Sequence, residues 1–129
     1  MDENINSERR KYKRLPIELA LEIDEVFKQD NVIIENIGAS ISVYDISKNG
    51  IGFVSAADLP IGYYFRGLIN LGENDFIRVV IQIVRSTQLE DKKKRYGAVF
   101  VGLAPFLADK VDKYEKSINN PNGRSLDNY

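Results

Sequence analysis

The chain has 129 residues, a hydrophobic fraction of 43% and a formal net charge of −1, which fits one domain with its own core. It contains no cysteine and no histidine, so disulfides, thiolate chemistry and imidazole-based catalysis are excluded. The charge excludes a global basic field for nucleic acid, and no apolar run reaches the roughly 20 residues of a membrane helix. The polar first residues do not resemble a signal peptide, so we expect a cytoplasmic protein.

Alternating apolar residues predict the first strand. Between residues 15 and 23, every second residue is a large apolar one, and Glu18 and Glu22 lie between them, which is the pattern of a half-buried strand. Further apolar runs follow at residues 32–37, 39–44 and 50–56. The last two flank a predicted hairpin turn at residues 45–50, where Asn49 and Gly50 can supply the positive φ that tight turns need.

The second half of the chain predicts three more strands and a helix. The strands cover residues 63–71, 76–86 and 96–103, of which the middle one is the longest. After Pro105, apolar residues recur at helical spacing, at Leu107, Val111, Tyr114 and Ile118. Six or seven short strands and one helix predict an all-β fold, a small closed six-stranded antiparallel β-barrel with a C-terminal α-helix that covers one opening.

The most basic segment lies just before the first strand, at residues 9–14, with the sequence Arg-Arg-Lys-Tyr-Lys-Arg. Arg10 and Arg14 share one side of the chain whether the segment is helical or extended. A guanidinium presents a planar fork of donors that matches phosphate oxygens and the guanine edge, and its plane stacks on bases. The alternative is a basic arm that is simply solvated.

The predicted hairpin turn carries the complementary groups. The carboxylate of Asp45 can accept hydrogen bonds from a guanine N1–H and N2–H₂ edge, and Ser47 can add a hydroxyl contact. Gly50 would let the backbone approach a base closely, or would simply serve the turn. Arg85 and Tyr96 are further candidates for lining the ligand, with a plain barrel exterior as the alternative.

The two motifs Arg10-x-x-x-Arg14 and Asp45-x-Ser47-x-x-Gly50 together resemble the signature of the PilZ domain family. The resemblance covers about residues 7–118, including a last strand with glycine and phenylalanine and the helix after it. It implies a PilZ-like barrel and a bacterial receptor for the second messenger cyclic di-GMP, with no cofactor and no metal. The predicted ligand-binding residues are Arg9, Arg10, Arg14, Asp45, Ser47 and Gly50.

We expect a flexible segment at residues 1–8, the PilZ-like domain at 9–118 and a disordered tail at 119–129. With no output domain expected, the signal would pass to an unidentified protein partner in motility, adhesion or matrix regulation. We expect a monomer or homodimer that binds neither generic nucleic acid nor membrane. An enzyme is disfavoured because no set of catalytic roles can be assembled. The alternative function is a small β-barrel module that binds a protein or single-stranded nucleic acid and no second messenger.

Overall fold

The computed structural model describes residues 13–119, in which six antiparallel strands form one curled sheet. The strands are β1 (Glu18–Ile23), β2 (Ile41–Ser47), β3 (Gly50–Ser55), β4 (Tyr64–Asn70), β5 (Phe76–Gln88) and β6 (Lys94–Phe100). A 3-10 helix (Glu25–Phe27) follows β1, and helix α1 (Pro105–Asn119) ends the described chain. Across the sheet the order is β1-β4-β5-β6-β3-β2. No helix within residues 13–119 is both long and apolar enough to span a membrane.

The two edge strands, β1 and β2, curl toward each other. The backbone N–H of Leu15 donates a 2.7 Å hydrogen bond to the carbonyl of Val43, which joins the stretch before β1 to β2. Within the described residues no ladder closes the sheet between these strands, so the shape is a half-barrel. The predicted antiparallel six-stranded architecture with a C-terminal helix is confirmed, but the closure expected of the barrel is not found within residues 13–119.

The core lies on the concave side of the sheet, where alternate residues of each strand are buried because side chains along a strand point to opposite faces. Two aromatic rings, Phe53 and Tyr96, are fully buried with their centroids 5.4 Å apart. The other fully buried large side chains are Ile17, Val43, Ile46, Phe65, Ile69, Ile81, Ile83 and Val111.

Helix α1 packs on this core with the face predicted from its apolar spacing. Val111 is fully buried, while Leu107, Tyr114 and Ile118 are partly buried and pack against the core. Outside this face, Lys110 forms an ion pair of 2.7 Å with Asp75 in the loop between β4 and β5. The C-terminal segment of the domain is therefore attached by both apolar and ionic contacts.

The apolar run at residues 32–37, which would have been the seventh predicted strand, does not form a strand. This segment has no regular structure, Ile33 is 85% exposed, and Asn36 has a φ of 64° that interrupts an extended conformation. An apolar run becomes a strand only where a neighbouring strand offers a ladder. The predictions for residues 1–8 and for the tail beyond Asn119 lie outside the described residues, and Asn119 itself ends α1.

Candidate functional site

The hairpin between β2 and β3 is tighter than predicted. Ser47 pairs directly with Gly50, so the turn contains only Lys48 and Asn49, and Asp45 belongs to β2. The Ser47 hydroxyl oxygen accepts a 3.2 Å hydrogen bond from the backbone N–H of Asn49. Neither Asn49 nor Gly50 has a positive φ, so the expectation that this pair supplies one is wrong.

A β-bulge in β2 decides which side chains of this strand face outward. The register shifts between Val43 and Asp45, so Tyr44 is an extra residue on this strand. Because a bulge exchanges the faces of the residues that follow it, Val43 and Ile46 are both buried although they are three positions apart. Asp45 therefore lies exposed on the outer face of the sheet.

Gly50 has a packing role that the sequence did not reveal. A Cβ on Gly50 would clash with the carbonyl oxygen of Ala98 and would lie 3.2 Å from the Cα of Val99, both on the paired strand β6. Backbone atoms cannot move aside as the end of a flexible side chain can. Glycine is therefore required here by the close approach of β3 and β6, and not by a left-handed turn.

We expect Gly50→Ala to lower the free energy of unfolding by about 1–3 kcal/mol, the usual cost of overpacking, because β3 and β6 must separate locally. Urea denaturation followed by circular dichroism measures this. The matched control is Gly38→Ala, where an added Cβ has no atom within 4 Å and the φ is not positive. Equal stability of both variants and the wild type would contradict this role for Gly50.

Arg14 is held beside β2, the strand that carries Asp45 and Ser47, by the next residue in the chain. It directly precedes Leu15, whose N–H bonds to Val43, two positions before Asp45. Arg14 and Asp45 are both exposed, and the side chain of neither has a hydrogen-bond or ion-pair partner among residues 13–119. The structure thus places Arg14, Asp45 and Ser47 near one edge of the sheet. Arg9 and Arg10 lie outside the described residues.

A row of four paired residues crosses the outer face from β2 to β5. Asp45 pairs with Gly52, Gly52 pairs with Gly97, and Gly97 pairs with Arg85. A second register shift in β5, between Ile83 and Arg85, places Arg85 on the outer face. Arg85, which the sequence analysis left open, is therefore in the same row as Asp45.

Tyr96 is not part of this surface, and both positions considered for it, the ligand side and the barrel exterior, are wrong. Its side chain is fully buried in the core. Its hydroxyl accepts a 2.9 Å hydrogen bond from the N–H of Leu59 and donates one to the carbonyl of Ala57. Burial raises the pKa of the Tyr96 hydroxyl, although the Leu59 hydrogen bond opposes this. Tyr96 is a structural residue.

The chemistry that the outer face offers is that of guanidinium, carboxylate and hydroxyl groups beside a side-chain-free strip of glycine. Residues 13–119 contain no cluster of acidic side chains placed to hold a metal ion. Tyr44, whose ring lies over Gly52, was missed by the sequence analysis. Because Tyr44 follows the buried Val43, alternation alone would have placed it on the outer face, but it belongs to neither motif and so was not singled out.

Comparison with known proteins agrees with this arrangement. The family model described as the PilZ domain matches residues 8–113, which include both arginines of the first motif and the whole of the second. None of the curated proteins and none of the solved structures gives a significant match. Because the family model covers most of the chain, the protein belongs to the PilZ domain family.

Proposed function

We propose that this protein is a receptor for cyclic di-GMP that binds the dinucleotide on the outer face of the β2–β3 hairpin. PilZ domains are ligand-binding modules, and the family implies cyclic di-GMP as the ligand. The observation that carries the proposal is the position of Asp45, which the bulge turns outward without a partner among residues 13–119, close to Arg14. A binding site presents such uncommitted charged groups to its ligand.

The carboxylate of Asp45 accepts hydrogen bonds from the N1–H and N2–H₂ groups of one guanine. The Ser47 oxygen already accepts from Asn49, so its O–H proton is available to donate to the ligand. Gly50 keeps β3 close to β6 and leaves the end of the hairpin without a side chain. These three residues would recognise the base.

The arginines of the first motif would bind the two phosphates of the dinucleotide. Arg10 and Arg14, with Arg9 as an additional contact, would bind the phosphate oxygens through charge-assisted hydrogen bonds, which are about twice as strong as neutral ones. The planar fork can engage two oxygens at once, which an ammonium group cannot do. Arg14 is the member of this set that the structure describes.

A calorimetric titration of the purified protein with cyclic di-GMP tests the proposal. We expect saturable binding, and we expect little binding of a single-stranded oligonucleotide under the same conditions. An absence of cyclic di-GMP binding would overturn the receptor proposal. A strong, salt-sensitive affinity for the oligonucleotide would instead favour the alternative of a nucleic-acid-binding barrel.

The preference for guanine should depend on Asp45. Cyclic di-AMP offers no N1–H donor to this carboxylate, so we expect it to bind roughly tenfold to hundredfold more weakly, as a lost base-edge contact of about 1–3 kcal/mol predicts. Asp45→Ala should remove most of this discrimination, whereas Glu90→Ala, an exposed acid in the β5–β6 loop, should leave it unchanged. Competition between the two dinucleotides measures both effects, and equal affinities for the wild type would contradict the role of Asp45.

We further propose that residues 9–118 are the binding domain and that the receptor acts in the cytoplasm as a monomer or homodimer. The output would be a protein partner that recognises the ligand-bound surface. Motility, adhesion and matrix production are the processes that the family implies. Co-purification of a partner that depends on cyclic di-GMP, and is lost with Asp45→Ala, would support this proposal, while ligand-independent co-purification would contradict it.

A further inference from the structure

Two outward-facing glycines leave the middle of the outer face without side chains of its own. Gly52 and Gly97 pair with each other on β3 and β6, and each lies between core residues of its strand. Asp45 stands at one end of this row and Arg85 at the other. With strands about 4.8 Å apart, the row spans roughly 14 Å.

Planar side chains from the two flanking strands cover the glycines. The Tyr44 ring lies over Gly52, with its Cζ 2.8 Å and its hydroxyl 3.0 Å from the position a Cβ would occupy. The Arg85 guanidinium lies over Gly97, with Nη2, Cζ and Nε at 2.7, 3.0 and 3.3 Å from the corresponding position. The two planar groups therefore cover neighbouring positions on adjacent strands.

Arg85 is held on the sheet without an acidic partner. Its side chain forms no ion pair and no hydrogen bond with any group among residues 13–119. Although Arg85 is an exposed residue, three atoms of its guanidinium lie close to Gly97. Within residues 13–119, no group therefore occupies the donors or pairs with the charge of this side chain. A guanidinium held flat in this way is suited to stack on a nucleobase.

We propose that Arg85 and Tyr44, which belong to neither signature motif, form a platform on which a guanine base of the bound dinucleotide stacks. This inference rests on the proposed function, because it extends the ligand from the Asp45 end of the row across Gly52 and Gly97. Gly52 and Gly97 are required for this platform, because any side chain at either position would displace the planar group that covers it. The platform is thus a specificity element for a ligand with two bases.

Calorimetric titration of variants with cyclic di-GMP tests the platform. We expect Arg85→Ala to weaken binding roughly tenfold to hundredfold, the effect of losing one stacked base, and Arg85→Lys to restore little of it, because an ammonium has no plane. Gly97→Ala keeps the charge of Arg85 but displaces its guanidinium from the sheet, so this variant should also bind cyclic di-GMP more weakly than the wild type. The matched control is Arg78→Ala, an exposed outward arginine on the same strand, which should bind as the wild type does.

A spectroscopic measurement separates stacking from a general effect on the fold. The guanine H8 resonance of cyclic di-GMP should move upfield on binding to the wild type, and this shift should shrink for Tyr44→Ala, which removes the aromatic ring. Thermal melting of each variant confirms that it is folded. If the wild type binds but Arg85→Ala and Gly97→Ala bind equally well, the platform is wrong and the receptor function stands. If the wild type does not bind, both are wrong.

Discussion

Replacing Arg14 with alanine should weaken the binding of cyclic di-GMP by about 100-fold or more. The expected loss corresponds to roughly 3 kcal/mol, the upper range of one bidentate arginine contact, because a phosphate would also lose its compensating charge. Arg14→Lys should not restore the affinity, because a point charge lacks the planar fork. Calorimetry of the three proteins under identical salt measures the effect.

The neighbouring residue provides the control for charge. Lys13 is exposed and precedes Arg14, so Lys13→Ala changes the net charge equally without removing a guanidinium, and its affinity should stay within about twofold of the wild type. A loss as large as that of Arg14→Ala would mean that the segment acts by general electrostatics. Wild-type affinity of Arg14→Ala would place the site elsewhere. We expect Arg10→Ala to behave as Arg14→Ala does, on the basis of their shared motif.

Tyr96→Phe should lower the free energy of unfolding by about 3 kcal/mol without changing ligand affinity. The substitution leaves the ring in the core but removes the partner of two groups, the N–H of Leu59 and the carbonyl of Ala57. Each unsatisfied buried group costs about 1–3 kcal/mol. Urea denaturation at neutral pH measures the change. An unaltered stability together with weakened binding would return Tyr96 to the ligand site.

Tyr64→Phe is the matched control for loss of a phenol hydroxyl. The Tyr64 ring stacks on Phe27 with centroids 4.1 Å apart, and its hydroxyl has no hydrogen-bond partner among residues 13–119. The ring contact survives in phenylalanine. Tyr64→Phe should therefore change the free energy of unfolding by less than about 0.5 kcal/mol.

Because the pKa of Tyr96 is raised, the stability difference between the wild type and Tyr96→Phe should depend on pH. Below the ordinary tyrosine value of about 10 the hydroxyl is protonated in both states, so its contribution to stability is fully present. Above that value the unfolded chain loses the proton more readily than the folded chain, so this contribution is lost as pH rises through the raised pKa of the folded protein. The part of the alkaline loss that belongs to Tyr96 should be missing in Tyr96→Phe.

The fold was predictable wherever burial follows a regular period. Alternation predicted β1 and most of β5, and spacing of four, three and four residues predicted the buried face of α1, because one face of each element must pack on the core. The run at residues 32–37 has the same apolar composition but no neighbouring strand, and composition alone does not provide one. Pairing is a property of the whole sheet and not of the segment.

The candidate site was predictable only as far as its residue types. The signature motifs identified Asp45, Ser47 and Gly50, but strict alternation from Val43 would have turned Asp45 inward, and strict alternation from Ile83 would have done the same to Arg85. The bulges that reverse both depend on how neighbouring strands pair and leave no clear mark in the sequence. The buried position of Tyr96 was missed for a related reason, because the partners of its hydroxyl lie in a loop about 37 positions earlier.

The two bulges have a consequence for how this surface can be altered or transferred. Each inserts one residue into its strand, Tyr44 in β2 and Val84 in β5, and so reverses the face that each later residue of the strand occupies. Deletion of Val84 would join Ile83 directly to Arg85 and leave Arg85 opposite Gly97 in a regular ladder, where ordinary alternation still turns it outward. Straightening the bulge without shortening the strand would instead turn Arg85 toward the core. A grafting experiment onto another antiparallel scaffold would have to reproduce both bulges, because in unbulged strands of the same sequence Tyr44 would face outward while Asp45 and Arg85 would face the core.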